Sequence, residues 1–248
     1  MFGVYKVEID YVSTGEGDYR KWLGPDWKPQ WEKTGTLVLN HVSFMDILFS
    51  LVYFFPSFVS KDSVKNYPMV GNIAIAIDSL FLNRAGTKEE KIAMGNMIQE
   101  RQLLNEKTER APILIFPEGA TTNNNSIINF KRGPFAGFHS VQPVCMNYTS
   151  INGISTQNDT LFHFHYYYCN LSYGTTLKMK VYPVFKPNEY FWQHHYDKSK
   201  GMEKWEVYAK VVREEIMAKS FDFKVSSISM EQKFAFKNIL KGTKQRTD

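Results

Sequence analysis

Asn40-His41-Val42-Ser43-Phe44-Met45-Asp46 is the stretch from which the fold and the chemistry of this sequence are best deduced. A β-leaning run, 36–39, comes directly before it, and Ser43 is a residue type that caps helix N-termini. We therefore predict that His41 lies at a strand-to-helix junction, with Ser43 as the N-cap. Four residues separate His41 from Asp46, so the two side chains can meet at the start of the helix.

A carboxylate beside a histidine ring provides the parts of a general base. The carboxylate fixes the tautomer of the ring and stabilises the imidazolium that forms when a substrate hydroxyl gives up its proton. His41 and Asp46 are therefore candidate catalytic residues. The spacing alone is equally compatible with a structural hydrogen bond that caps the helix.

Strand-type and helix-type segments alternate along the chain after this stretch. The apolar runs 73–82, 112–116 and 141–146 are typical of buried strands. Thr87 and Glu90 form a Thr-x-x-Glu capping box at the start of a predicted surface helix. The apolar stripe of that helix is predicted to consist of Ile92, Met97, Ile98 and Leu104. This alternation predicts an α/β sandwich. The fold that we expect is a single α/β domain with a mixed sheet flanked by helices.

The two ends of the chain carry no obvious chemistry. Residues 4–12 form a possible strand, and the Gly-, Pro- and Trp-rich stretch 15–35 is interpreted as an irregular lead-in. Near the other end, the patterns predict a strand at 177–185, a helix at 202–219 and a docking helix with a weak capping box after Ser229.

The composition predicts a folded domain whose surface is mildly attracted to anions. The 248 residues are 43% hydrophobic, and the formal net charge is +5. Phosphates or anionic lipids are suitable partners for this charge, whereas the basic residues are too scattered to predict a nucleic-acid surface. No run reaches the roughly 18 apolar residues of a spanning helix. We therefore predict a protein that associates with a membrane surface without a transmembrane helix of its own.

Metal ligation is not predicted. Cys145 and Cys169 lack CxxC spacing and lie in apolar or aromatic runs, so both are expected to be buried free thiols. His163 and His165 fall in the run 161–171, which is ambiguous between helix and strand. The local sequence around these histidines, and around His194 and His195, lacks the close acidic or cysteine partners that a metal site needs.

Four ordered blocks resemble the glycerolipid acyltransferases related to bacterial lysophosphatidate acyltransferase. Asn40 to Asp46 matches that family's first block, Asn-His-x-Ser-x-x-Asp. Residues 80–84, Leu-Phe-Leu-Asn-Arg, resemble the second block, Phe-Pro-Glu-Gly at 116–119 matches the third, and Val-Gln-Pro-Val at 141–144 resembles the fourth. The segment 116–144 is most similar to the lysophosphatidylcholine acyltransferase branch.

The resemblance implies a single acyltransferase domain. Its core would span 36–190, preceded by the lead-in 1–35 and followed by a C-terminal helical extension, 191–248. In the mechanism that it implies, His41 deprotonates the free hydroxyl of a lysophospholipid, which attacks the acyl-CoA thioester directly, and Asp46 orients the ring. Acyl-CoA is then a co-substrate, and no further cofactor is expected.

The resemblance also implies a set of substrate-binding residues. Arg84, in the second block, would contact the phosphate of the acceptor, for which the guanidinium fork is suited. Glu118 would orient the acceptor or hold the loop after its strand, and Lys131 would add positive charge toward the phosphate. The complete predicted set is Asn40, Ser43, Arg84, Glu118, Gly119 and Lys131.

The sequence departs from the family pattern at two places. Asp78 stands where the second block usually has a glycine. Ala120-Thr121 stands where many members have Thr-Arg, so a second phosphate-contacting arginine is absent there. This loss favours a lysophospholipid with a headgroup over bare lysophosphatidate.

Two other hypotheses are compatible with the sequence. Ser43 lies close to His41 and Asp46, as in a Ser-His-Asp hydrolase, but the sequence has no Gly-x-Ser-x-Gly elbow. The main alternative is an acyltransferase fold retained as a lipid-binding or structural subunit of a larger membrane assembly, a mitochondrial one included. Relatives of the branch usually carry a hydrophobic anchor before the first block, which is not found before Asn40. Membrane contact would then come from the chain's own surface or from other subunits, at the endoplasmic reticulum or the mitochondrion.

Overall fold

The computed structural model describes residues 4–32, 34–83, 86–108, 110–150 and 174–240. Arg84, the run 161–171 with His163 and His165, and Cys169 lie outside these ranges. All structural statements below concern the described residues. No helix in that part of the chain is both long and apolar enough to cross a bilayer.

The described residues form one seven-stranded sheet and a separate pair of short strands. In chain order the strands are β1 (Val4–Tyr11), β2 (Thr36–Leu39), β3 (Ser57–Lys61), β4 (Leu80–Leu82), β5 (Ile113–Ile115), β6 (Ser126–Ile127), β7 (Val141–Ser150), β8 (Thr175–Val181) and β9 (Lys224–Val225). The order across the main sheet is β1-β8-β7-β2-β5-β3-β4, and β6 pairs with β9.

The directions of the strands make the sheet mixed, as predicted. β7, β2, β5, β3 and β4 are parallel to one another, β8 is antiparallel to β7, and β1 is parallel to β8. The carboxyl ends of β2, β3, β4 and β5 therefore meet at one edge of the sheet. His41 and Glu118 follow two neighbouring strands at that edge, where the sites of open α/β sheets collect.

Helices cover the sheet and connect its strands. They are α1 (Arg20–Leu23), α2 (Met45–Phe54), α3 (Val70–Ala76), α4 (Lys88–Lys107), α5 (Glu189–His195), α6 (Lys204–Lys210), α7 (Ala218–Ser220) and α8 (Met230–Leu240). A π-helical segment, Val211–Met217, joins α6 to α7, which confirms the helix predicted at 202–219. Short 3₁₀ turns occur at Gly15–Gly17, Asp62–Asn66 and Lys198–Lys200. Both predicted capping boxes, at Thr87 and Ser229, are present.

Both faces of the central strands are buried, as expected for parallel strands between helical layers. Val38 of β2 packs into one apolar cluster with Tyr19, Phe185 and Tyr208, whereas Leu37 and Leu39 of the same strand pack into a second cluster. Cys145 of β7 is a buried free thiol, as predicted, and burial raises its pKa to about 12.

The strand predicted at 73–82 is wrong over most of its length. Residues up to Ala76 belong to α3, and the strand itself is only Leu80–Leu82. Apolar runs of this kind fit a strand or a helix equally well, and periodicity alone does not separate them. Between the two elements Asp78 has a φ of 57°. A left-handed backbone suits the glycine that the resemblance implies for this position of the second block, and aspartate is one of the few other residues that tolerate it.

The apolar stripe predicted for α4 is also wrong for three of its four members. Ile98 is buried, but Ile92, Met97 and Leu104 are exposed. The buried face of α4 carries polar residues instead. Gln102 donates to Thr36 Oγ1 at 2.8 Å and to the Pro134 carbonyl at 2.9 Å, which satisfies its buried amide nitrogen.

The segment predicted as an irregular lead-in contributes to the main fold. Its strand β1, confirmed close to the predicted bounds, pairs with β8 along its whole length. Tyr19 and Leu23 from the same segment are buried in the core. The hydroxyl of Tyr19 donates to the Pro183 carbonyl at 3.1 Å. The boundary drawn at residue 35 thus falls within one continuous sheet.

Candidate active site

His41 and Asp46 meet at the carboxyl end of β2. The chain leaves β2 at Leu39 and enters α2 at Met45, so His41 lies at the predicted strand-to-helix junction. The distance from His41 Nδ1 to Asp46 Oδ2 is 2.8 Å. Because Nδ1 faces the carboxylate, Nε2 is the ring nitrogen that a substrate can meet. The His41 side chain is 18% exposed, whereas that of Asp46 is fully buried.

The buried carboxylate of Asp46 is held by donors on both oxygens. Oδ2 accepts from the backbone nitrogens of Val42 at 2.6 Å and Ser43 at 2.9 Å, in addition to its contact with His41. Oδ1 accepts from the hydroxyl of Tyr148 at 2.7 Å. Burial, together with the neighbouring Asp46 charge, raises the pKa of Tyr148 well above its usual value, so the phenol stays a donor. Burial of a carboxylate costs free energy, and such a set of hydrogen-bond donors offsets that cost.

Ser43 does not cap α2 in the predicted way. The helix begins at Met45, Phe44 occupies the cap position, and no side chain caps it there. Ser43 Oγ accepts only a long bond of 3.3 Å from the Met45 nitrogen. The Asp46 carboxylate instead takes up the backbone donors that precede the helix. The Ser43 side chain is buried and does not line the cleft, and its substrate contact stays a prediction.

Glu118 supports the His41 loop from the neighbouring strand. It follows β5 and is fully buried, and its Oε1 accepts from the backbone nitrogen of His41 at 3.0 Å. Its Oε2 accepts from the backbone nitrogen of Ile128, also at 3.0 Å. Burial raises the pKa of Glu118 to about 8, and the two backbone donors oppose that rise. Of the two roles predicted for Glu118, the structure therefore favours holding the loop.

Further contacts fix the position of the His41 ring and its backbone. The ring stacks on Phe116, with 3.9 Å between the centroids and an angle of 16° between the planes. The His41 carbonyl accepts from the backbone nitrogen of Thr122 at 2.6 Å. The loops after β2 and β5 are thus joined on both sides of His41, and the ring has little freedom to rotate away from Asp46.

His41 forms part of the wall of an apolar cleft. The cleft has a volume of about 440 Å³ and lies between α2, α3 and the edge of the sheet. Phe116, Gly119 and Ala120 line it beside His41. The rest of its lining is largely aliphatic and comes from Ile47, Leu48, Leu51, Phe58, Val59, Val64, Tyr67, Val70, Ile73, Ala74, Ile77 and Ile115, with Ser60 and Lys61. A chain of methylene groups fits such a lining because its burial removes apolar surface from water.

The remaining predicted site residues have different placements. Both polar atoms of the Asn40 amide bind the backbone of Met146 on β7, at 2.8 and 2.9 Å, so Asn40 ties β2 to β7 instead of facing the cleft. Gly119 lines the cleft, with a φ of 70° that favours glycine. Lys131 is exposed beside Gly119 and forms an ion pair with Glu231. Arg84 lies outside the described residues, although β4, which precedes it, ends at the same edge of the sheet.

Two parts of the site were not predicted from the sequence. Tyr148 lies 102 residues from Asp46 along the chain, and no local pattern connects them. Helix α8 also reaches the site, since Met230 Sδ lies 3.0 Å from where a Cβ on Gly119 would be. Lys233 of α8 donates to the carbonyl of Thr121 in the same loop. Within the described part of the chain, no group of three or more His, Cys, Asp or Glu side chains is placed to hold a metal ion.

A histidine oriented by a buried carboxylate has the parts that proton transfer needs, and the apolar cleft beside it can accommodate an amphiphilic molecule. Residues 24–147, half of the chain, match the family model described as Acyltransferase. The chain belongs to this acyltransferase family.

Several proteins similar to this chain are named as acyltransferases of lysolipids. Lysophospholipid acyltransferase LPEAT1 of Arabidopsis thaliana is 36% identical over 118 residues, which are 47% of this chain and 30% of the plant protein. Lyso-ornithine lipid O-acyltransferase of Rhodobacter capsulatus is 32% identical over 127 residues, 48% of this chain and 44% of its own. Lysophosphatidylcholine acyltransferase 2B of Rattus norvegicus is 29% identical over 157 residues, 62% of this chain and 29% of its own. This chain therefore spans less than half the length of each of these relatives.

The solved structure of the 1-acyl-sn-glycerophosphate acyltransferase of Thermotoga maritima aligns with 98% of this chain and 74% of its own, at a TM-score of 0.48 and 16% identity.

Proposed function

We propose that this protein transfers an acyl group from acyl-CoA to the free hydroxyl of a lysophospholipid, with His41 as general base and Asp46 as its orienting partner. The observation that carries the proposal is the 2.8 Å contact between His41 Nδ1 and Asp46 Oδ2 in the wall of an apolar cleft. Membership of the acyltransferase family and the lysolipid acceptors named for its relatives support the choice of reaction.

The proposed reaction needs no covalent intermediate on the enzyme. His41 Nε2 accepts the proton of the acceptor hydroxyl as its oxygen attacks the thioester carbonyl carbon. Nδ1–H donates to Asp46 throughout, which stabilises the imidazolium. The tetrahedral intermediate then collapses, the carbon–sulfur bond breaks, and the imidazolium returns its proton to the departing thiolate of CoA. The products are free CoA and the phospholipid, which carries the new ester bond.

The acceptor is proposed to be a lysophospholipid with a headgroup. Ala120 is nearly buried and lines the cleft where many family members place the threonine of Thr-Arg, and Thr121 follows it in place of the arginine. Less positive charge beside the loop suits an acceptor phosphate that carries a further group. Arg84 and Lys131 remain the proposed cations for that phosphate. Because both substrates are amphiphilic, we propose that the reaction takes place at a membrane surface, either that of the endoplasmic reticulum or that of the mitochondrion.

The direct test is release of the CoA thiol from acyl-CoA in the presence of a panel of lysophospholipids. His41→Ala should lower the rate by about 10²–10⁴-fold, the usual contribution of a general base. His194→Ala is a matched control, because His194 is an exposed histidine on α5 that bonds only to the Tyr190 carbonyl and stacks on neighbouring rings. The control should keep the wild-type rate.

Equal rates for wild type and His41→Ala would refute the catalytic role of His41. Binding of lysophospholipid by the wild type without any release of CoA would support the alternative, a lipid-binding or structural subunit with this fold. The two outcomes are separated by measuring binding and turnover on the same preparation.

A further inference from the structure

The surface around the mouth of the cleft carries a concentration of exposed apolar side chains. On α2, Leu48, Val52 and Phe55 follow one another at helical spacing and are all exposed, and Leu48 also lines the cleft. Across the cleft, Met69 and Val70 are exposed at the start of α3, and Val70 lines the cleft too. Ile73 of α3 is also exposed and lines the cleft. We call these two sets of residues the apolar lips: Leu48, Val52 and Phe55 on one side, and Met69, Val70 and Ile73 on the other.

Two exposed residues of the lips, Phe55 and Met69, have unfavourable backbone conformations. Phe55, 67% exposed, ends α2 with φ 45° and ψ 51°, a left-handed conformation that usually falls to glycine or asparagine. Met69, 76% exposed, has φ 62° and ψ −51°, and the Val70 nitrogen donates to the Pro68 carbonyl at 2.7 Å. This is the rare and strained form of the γ-turn. Both side chains are therefore largely exposed at backbone positions that residues with a Cβ rarely adopt.

Charge indicates the chemistry of what covers the lips. Between Phe44 and Ile77 the acidic residues are Asp46, which is buried, and Asp62, which is paired with Lys65 at 2.7 Å. Lys61 is exposed at the cleft. Between residues 44 and 77 the lips therefore present apolar groups without an unpaired exposed carboxylate, with Lys61 beside them and on a chain of net charge +5. This pattern complements the anionic headgroups and acyl chains of a bilayer surface.

We propose that the apolar lips insert into the interface of a lipid bilayer and present the mouth of the cleft to it. The inference deepens the proposed function and rests on it in one respect: an amphiphilic substrate could then pass from the bilayer into the cleft without crossing water. Tyr53 and Tyr67 are exposed on the same two segments. Amphipathic rings of this kind favour headgroup depth.

The test compares sedimentation with vesicles of phosphatidylcholine alone and of phosphatidylcholine mixed with phosphatidylserine. A triple variant, Val52→Ser, Phe55→Asn and Met69→Gly, removes three apolar side chains that do not line the cleft. Asparagine and glycine also suit the positive φ at the last two positions. We expect the triple variant to partition into vesicles roughly tenfold or more weakly than the wild type, from the apolar area lost.

Controls separate this inference from the proposed function and from misfolding. Tyr5→Ser with Val225→Ser removes apolar side chains that are 60% and 48% exposed and do not line the cleft, and should leave vesicle binding unchanged. His41→Ala should bind vesicles like the wild type whether or not it turns over substrate. Val52→Gln, at a helix position 75% exposed, provides a second variant that adds no charge, should fold normally and should bind vesicles more weakly.

Equal vesicle binding by the wild type and both lip variants would overturn the proposal, as would a wild type that sediments with neither kind of vesicle. A soluble dimer that dissociates in the triple variant, without vesicle binding by the wild type, would identify a second copy of the chain as the occupant and would also overturn it. Stronger binding of the wild type to the phosphatidylserine vesicles, lost in the triple variant, is the supporting result.

Discussion

The polar corner of the cleft and its apolar lips differ in how their side chains are accommodated. The polar corner consists of His41, Asp46, Glu118 and Tyr148. There the two buried carboxyl groups accept five hydrogen bonds from backbone nitrogens and a phenol, besides the contact with His41 Nδ1. At the lips, apolar side chains are exposed, and Phe55 and Met69 have positive φ. The polar groups of the first region are satisfied by contacts within the described residues, whereas the second region is where we propose contact with a bilayer.

Removing the charge of Asp46 should have the largest effect on the polar corner. Asp46→Asn places an amide where two backbone nitrogens, a phenol and His41 Nδ1 now meet a carboxylate, so the ring loses its orienting acceptor. We expect kcat to fall by about 10²–10⁴-fold. The exposed Asp10→Asn on β1 is the control and should keep the wild-type kcat. A kcat within a few-fold of wild type for Asp46→Asn would show that the pair is only structural.

The pKa of Glu118 predicts a pH dependence of stability. Burial raises this pKa to about 8 from an ordinary value of 4.5, so the folded state binds the proton more tightly than the unfolded state. Its contribution to stability is therefore fully present below pH 4.5 and is lost as the pH rises through 8. Between these limits the slope is on the order of 1 kcal/mol per pH unit.

Glu118→Gln, which does not titrate, isolates this contribution. The free energy of unfolding of the wild type, relative to that of Glu118→Gln, should decrease as the pH rises from 4.5 to 8, measured by denaturant titration. Glu100→Gln, on the exposed side of α4, should show no such difference. A flat difference for Glu118→Gln would mean that Glu118 stays ionised in the fold across this range.

Tyr148→Phe should have a smaller and more selective effect. It deletes the donor to Asp46 Oδ1 without changing the shape of the core, so one buried carboxylate oxygen loses its partner. Such a loss costs about 1–3 kcal/mol of stability. If Tyr148 positions Asp46, kcat should also fall, roughly tenfold by the same free energy, while KM stays near its wild-type value. A loss of stability with unchanged kcat would restrict Tyr148 to a structural role.

Met69→Gly gives the smallest expected effect and has the opposite sign. Relief of the strained turn contributes about 1 kcal/mol or more, and the added flexibility of glycine in the unfolded chain costs about 0.5–1 kcal/mol. The free energy of unfolding should therefore stay level or rise by up to about 1 kcal/mol. Met97→Gly, the same change at an exposed position inside α4, should lower it by about 1 kcal/mol. A clear loss of stability for Met69→Gly would mean that its side chain is needed within the fold.

The sequence was sufficient for those features that depend on near neighbours in the chain. The contact between His41 and Asp46 follows from a short spacing at a strand-to-helix junction, and the capping boxes at Thr87 and Ser229 follow from two residues each. The α/β class also followed from the alternation of segments along the chain. For the histidine pair and the capping boxes the determining residues are separated by few positions, so pattern and propensity are enough.

The features that were missed depend on contacts between distant segments. Tyr148 reaches Asp46 because β7 pairs with β2 in a register that the sequence does not encode locally. The buried face of α4 is polar at Gln102 because Thr36 and Pro134, far along the chain, supply partners. Val70 to Ala76 form a helix in which Ile73 and Ile75 are exposed. The prediction of a buried strand assumed that apolar residues lie inside the protein, which does not hold on a face proposed to contact lipid.

The pairing of the first strand with the eighth has a consequence for how the chain is made. Val4 lies opposite Thr175, so β1 leaves the ribosome long before its partner strand is synthesised. β2, β3 and β5 can assemble earlier, because their partners lie closer in sequence. Closing so long a loop is slow, and an unpaired strand is prone to wrong associations while it waits. β1 is thus translated before the other strands of this sheet and is one of the last of them to pair.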